Sequence, residues 1–132
     1  MVDETQNAEN LQNPASKYRV AVASTDGETV NTHYGKANLF YIYYVDDEEG
    51  YDFVETRAVT PVCMDGSHLK SQMDKSVLQF TDCKYLIVSR LGSAAVQALS
   101  SAGITAMELP GSIEEAILKV WKFNRIQGLF ER

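Results

Sequence analysis

The residues of this sequence best suited to metal chemistry are His33, Cys63, His68 and Cys83, both of its histidines and both of its cysteines. Imidazole and thiolate bind iron, zinc and metal–sulfur clusters. Cys63 and His68 stand in a C-x4-H arrangement at a loop-to-helix entry. A closed structural zinc site asks for four ligands in two tight pairs. No C-x2-C or H-x3-H pair occurs here, so that site is not expected. Two cysteines are also too few for a conventional four-cysteine cluster held within one chain. A prebuilt cluster brings its own sulfides and needs fewer protein ligands. His33 and the loop carrying Cys63 and His68 supply them, provided both loops lie at one end of a sheet. Cys83 follows Asp82 and leads into an apolar run, which reads as a small packed thiol.

His33 sits in a polar stretch, 24–37, that joins two apolar runs. Asp26-Gly27 is a turn signal, because glycine tolerates positive φ and aspartate bonds its own backbone. Gly35 lets backbone approach a ligand closely. The loop therefore presents one imidazole beside Tyr34 and Lys36. An anionic ligand there would meet Lys36, Arg57 and Arg90, and the N-termini of helices beginning near His68 and Ser93. Each helix end contributes about 0.3–1 kcal/mol, enough to orient a ligand but not to hold it tightly.

Catalytic alternatives find little support. A two-metal nuclease needs several convergent carboxylates, and the run Val20-Ala21-Val22-Ala23 has none. G-x-S-x-G, P-loop and G-x-G-x-x-G motifs are absent. The acidic run Asp46-Asp47-Glu48-Glu49 reads as a solvated hairpin tip, since consecutive side chains cannot all converge on one ion.

The elements that must position these groups follow from the apolar pattern. Residues 1–16 are polar and aperiodic, and are expected to form a disordered tail. Residues 17–127 are expected to form one domain, and 128–132 a short C-terminal tail. Strands are expected over 18–24, 39–45, 51–59, 85–88 and 104–109. Helices are expected over 68–80, 94–102 and 113 to about 124, the last opened by the capping-box spacing Ser112-Ile113-Glu114-Glu115. The order βββαβαβα calls for a mixed five-stranded sheet covered by helices, a ribonuclease-H-like α/β architecture.

Composition bounds the partners. With 45% hydrophobic residues and 23% charged, the chain can build an ordinary core. A formal net charge of −6 and the lack of a basic stripe argue against nucleic acid. No apolar run is long enough to span a bilayer, and no export signal opens the sequence, so a cytoplasmic protein with reduced thiols is expected.

The blocks Val20-Ala21-Val22-Ala23-Ser24-Thr25-Asp26-Gly27, Val30, His33-Tyr34-Gly35-Lys36-Ala37 and Phe40 resemble the dinitrogenase iron–molybdenum cofactor biosynthesis family. That family includes the nitrogenase accessory proteins NifX and NifY and the C-terminal domain of the cofactor synthase NifB. Thr81-Asp82-Cys83, Arg90-Leu91-Gly92, Ala102-Gly103-Ile104 and Ile113-Glu114-Glu115-Ala116 continue the likeness in order, over roughly 18–120. The resemblance implies a ribonuclease-H-like fold. It also implies a non-catalytic protein that carries an iron–sulfur precursor or the iron–molybdenum cofactor as cargo between cofactor-assembly proteins. The family's loop histidine maps onto His33, and the Cys63 loop is similar to that of the synthase C-terminal domain. His33, Lys36, Cys63 and His68 are the implied cofactor contacts, with His33 and Cys63 as metal ligands. The C-x3-C-x2-C of the synthase's radical half is missing. The competing expectation is an interaction or regulatory module of the same fold that binds no cluster.

Overall fold

The computed structural model describes residues 17–46, 50–60 and 69–130. Among the described residues there are seven strands: β1 (Lys17–Ala23), β2 (Thr29–Val30), β3 (Leu39–Asp46), β4 (Gly50–Ala58), β5 (Tyr85–Val88), β6 (Thr105–Glu108) and β7 (Gly111–Ser112). Three helices accompany them there: α1 (Leu69–Leu78), α2 (Ser93–Ser101) and α3 (Ile113–Phe130). The main sheet has five strands in the order β4-β3-β1-β5-β6. β1, β5 and β6 run parallel, while β3 and β4 are antiparallel to their neighbours. This is the mixed α/β sheet expected from the strand and helix order.

Each face of the sheet has its own core, and β1 shows why. Its consecutive apolar residues alternate between the two faces. Ala21 and Ala23 face Met73 and Val77 of α1 and Ala95 and Leu99 of α2, together with Phe40, Ile42 and Leu86. Val20 and Val22 belong to the second core, with Tyr43, Tyr85, Ile87 and the α3 residues Ile113, Ala116, Ile117 and Val120. Burying each such aliphatic side chain contributes about 1.5–3 kcal/mol.

Two features depart from expectation. A second, two-stranded ribbon pairs β2 with β7. Strands of two residues leave no periodic trace in a sequence. Helix α3 also runs on to Phe130, past the expected end near Asn124. Its last turns carry exposed apolar residues, Ile126 and Leu129, so the inward pattern that marks a packed helix fades before the helix does.

Candidate functional site

The loop after β1 is built by side chains bonding their own backbone. Buried Ser24 accepts the amides of Asp26 and Gly27 at 3.2 and 2.9 Å on its Oγ. Asp26 Oδ1 accepts the amides of Glu28 and Thr29, both at 2.8 Å, and the Thr29 hydroxyl donates to Oδ2 at 2.9 Å. These donors hold the Asp26 carboxyl down to about 2. Gly27 has φ +75°, and a Cβ there would stand 2.9 Å from Cε2 of Tyr41. Asn31 then spans the loop: its Oδ1 accepts the Thr25 amide and its Nδ2 donates to Thr25 Oγ1. The β2–β7 ribbon and a bond from the Ile113 amide to the Glu28 carbonyl, 2.9 Å, tie the loop to the start of α3.

Past that loop the chain returns to the sheet. The Thr32 carbonyl accepts the Ser89 amide and the Tyr34 amide donates to the Arg90 carbonyl, each at 3.0 Å. His33 and Arg90 thus form a parallel bridge just beyond the end of β5. His33 then opens a 3-10 turn, Tyr34–Lys36. Tyr34 anchors the turn: its ring is buried edge-on to Phe40, and its hydroxyl bonds that of Ser76 in α1. Burial pushes the Tyr34 phenol above its ordinary range. The backbone of His33 is therefore fixed from both sides. Its imidazole is exposed and makes no hydrogen bond or ion pair with another described residue.

His33 lines a cleft of about 790 Å³ with Lys36, Met73, Arg90, Gly92 and Glu108. The cleft lies where the parallel strands end, the usual place for a ligand in an open α/β sheet. Helix α2 begins there. Its N-cap is Gly92, which offers no side-chain cap. The first amides of a helix have no partner within it, so those of Ser93, Ala94 and Ala95, which line the cleft, have none within α2 and suit an anion. Lys36 and Arg90 are exposed, and neither forms a salt bridge with a carboxylate among the described residues. Glu108, the last residue of β6, accepts the Leu91 amide at 2.8 Å.

The structure sorts the sequence candidates. His33, Lys36, Arg90 and the start of α2 come together. Cys63 and His68 lie outside the described residues. The described residues on either side of 61–68 do reach this end: Ala58 pairs with Leu39, the Val59 amide donates to the Asn38 carbonyl at 3.0 Å, and Met73 of α1 lines the cleft. Arg57 is a correction. Its guanidinium donates to Asp82 at 3.0 and 3.1 Å, to Glu55 at 2.7 Å and to the Gln79 carbonyl at 2.8 Å, so it is engaged away from the cleft. Cys83 precedes β5, at the opposite end of that strand from His33, and is buried. Burial first, then the Asp82 charge, pushes its thiol up to about 12, as befits a packed side chain. No three His, Cys, Asp or Glu among the described residues could hold a metal ion together. Sequence reasoning missed Glu108. Its one signal was its place at the end of a strand expected to be parallel.

A comparison with known families matches residues 16–122 to the dinitrogenase iron–molybdenum cofactor family. The chain is 29% identical over 113 residues to the FeMo cofactor biosynthesis protein NifB of Chlorobaculum tepidum, covering 85% of this chain and 26% of that protein. It is 32% identical over 113 residues to the NifB of Frankia alni, covering 81% of this chain and 21% of that protein. The chain thus spans about a quarter of the length of these curated relatives. Among solved structures it shares its fold with the apo form of the orange protein from Desulfovibrio gigas, at a TM-score of 0.54 and 19% identity, over 81% of this chain and 89% of that one. The chain belongs to the dinitrogenase iron–molybdenum cofactor family.

Proposed function

We propose that this member of the family binds an iron–sulfur precursor or the iron–molybdenum cofactor as cargo in the His33 cleft. It would pass that cargo between cofactor-assembly proteins without transforming it. The observation that carries the reading is the His33 imidazole, which among the described residues has no bonding partner and shares a cleft with two cations that form no ion pair there and with the uncapped first turn of α2. Imidazole supplies a borderline ligand for iron or molybdenum. Lys36, Arg90 and the helix amides suit the negative charge that sulfide-rich clusters carry. Cys63 and His68 are proposed as further ligands. The family membership and the names of the relatives support a place in FeMo cofactor biosynthesis. A cytoplasmic setting, where thiols stay reduced, suits this ligand set.

The test is anaerobic binding of a purified iron–sulfur precursor, read by visible absorption and iron content after gel filtration. Wild type is expected to co-elute with cargo. His33→Ala is expected to bind at least roughly tenfold more weakly, about 1.4 kcal/mol, and Cys63→Ala to weaken binding as well. Undiminished co-elution in both variants would remove these residues from the site.

A second reading, an interaction module without cargo, draws on the exposure of β4, where Phe53 is 54% and Tyr51 41% accessible. Folded wild type that binds no precursor, yet retains an assembly protein on a column, would favour it.

A further inference from the structure

The cleft holds one group that an anion-binding site would not be expected to keep. Glu108 lines it beside Lys36 and Arg90. Its carboxylate is not used to neutralise either cation, since no salt bridge joins them. Its Oε2 instead accepts the Leu91 amide at 2.8 Å. That bond fixes the turn between β5 and α2. The residue before Leu91 is Arg90, whose carbonyl holds Tyr34, and the residue after it is Gly92, the N-cap of α2. A neutral amide oxygen in the same place would accept the same bond. The negative charge is therefore not required for the architecture, and its effect on the cleft has to be sought in binding.

We infer that Glu108 sets how tightly the cleft holds anionic cargo, positioning the cationic turn through Leu91 while its charge opposes the anion that the turn attracts. This inference rests on the cleft being the cargo site. Among the described residues, and with His33 counted as neutral, the formal charges lining the cleft are those of Lys36, Arg90 and Glu108, a sum of +1. Neutralising Glu108 makes it +2. A carrier needs this restraint, because cargo held too firmly leaves too slowly to be passed on. For a dianion about 8 Å from the carboxylate in a water-like medium, the repulsion corresponds to roughly fivefold in affinity at low ionic strength, and salt screens it.

The probe is tetrathiomolybdate, a compact molybdenum–sulfide dianion, titrated calorimetrically and followed for dissociation rate. Wild type, Glu108→Gln, Glu108→Ala and Lys36→Ala are compared at low and high salt. Glu108→Gln keeps an oxygen for the Leu91 amide. It is expected to bind about fivefold tighter than wild type and release more slowly, with the gain shrinking as salt rises. Glu108→Ala also loses the bond to Leu91, so its gain should be smaller, and the Leu91 amide should exchange with solvent faster than in the Gln variant. A Glu108→Gln protein that binds no tighter than wild type overturns the inference while leaving the cleft standing. Failure of wild type and Glu108→Gln alike to bind overturns both this inference and the cargo site. Binding that Lys36→Ala leaves untouched while Glu108→Gln tightens it supports the inference and removes Lys36 from the site.

Discussion

The two ends of β5 treat their polar groups in opposite ways. Before the strand, at the Cys83 end, the charged side chains Arg57, Asp82 and Lys84 each have a polar partner. Arg57 grips Asp82 and Glu55, Arg19 stands 4.0 Å from Asp82, and Lys84 and the Tyr85 hydroxyl both donate to Asn124 Oδ1 at 2.7 Å. Beyond the strand, at the His33 end, the backbone is as firmly bonded but the side chains are not. Main-chain and turn bonds pin 24–37, while His33, Lys36 and Arg90 project without ion pairs among the described residues. A polar group whose bonds are complete inside the fold contributes to stability and is closed to a ligand. One on a fixed backbone with its own bonds unmade contributes little to stability and is available. The same residue types, arginine, lysine and a soft donor, occur at both ends. What separates a structural corner from a candidate site is the state of their bonding.

The largest test of this contrast is to undo the anchor at the open end. Tyr34→Ala removes a buried ring, and by analogy with other aromatic truncations should cost about 3–5 kcal/mol in urea unfolding. A cost below about 1 kcal/mol would mean that the His33 turn is not held as described. Next comes thiol reactivity. In a Cys63→Ser background, Cys83 should react with a thiol reagent at pH 8 at least roughly a hundredfold more slowly than after unfolding, because burial disfavours the thiolate. Fast labelling of the folded protein would break the claim that this end is closed.

A smaller effect is expected at Gly27. Gly27→Ala imposes positive φ on an L-residue and presses on Tyr41, for about 1–2 kcal/mol of destabilisation. An unchanged urea midpoint would show that the turn relaxes. The smallest effect is the acid limb. Asp26 in the folded chain titrates at about 2, below its ordinary 3.8. Its contribution is therefore complete above about pH 4 and is lost as the pH falls through about 2. Asp82, held low by Arg57, behaves with the same sign. Asp26→Asn and Asp82→Asn should each flatten the fall in stability between pH 4 and 2. A limb as steep as that of wild type in both would remove these carboxylates as its source.

Much of the scaffold was readable from local signals. Val20-Ala21-Val22-Ala23 and Tyr85-Leu86-Ile87-Val88 read as strands covered on both faces, and each is buried throughout. Ser112 caps α3 by accepting the Glu115 amide at 3.0 Å, as its spacing to that glutamate suggested. Asp26-Gly27 makes its turn. His33 with Lys36, and Arg90 and the start of the helix at Ser93 as further anion contacts, were named from the sequence, but the bonds that bring the distant groups in were not. Arg90 joins them through a bridge between segments more than fifty residues apart, and Glu108 through a bond across seventeen. Partners so distant leave no periodicity. Arg57 was misread for the same reason, since its bonds to Gln79 and Asp82 depend on where α1 ends rather than on anything beside it in the chain.

The ribbon of β2 and β7 has a consequence for how fast and how firmly a ligand can be accepted. Ordering a free residue's backbone opposes association by about 1–2 kcal/mol, so a floppy loop of even a few residues would consume most of the attraction that one imidazole and two cations provide. Here that disorder is removed when the chain folds, by four short residues, Thr29, Val30, Gly111 and Ser112, and by the bridge from His33 to Arg90. A ligand arriving among these residues would then ask only side-chain adjustment of them. A receptor so built would exchange an occupant with little backbone rearrangement in either direction, and its thermodynamic signature would be a small conformational-entropy change on loading.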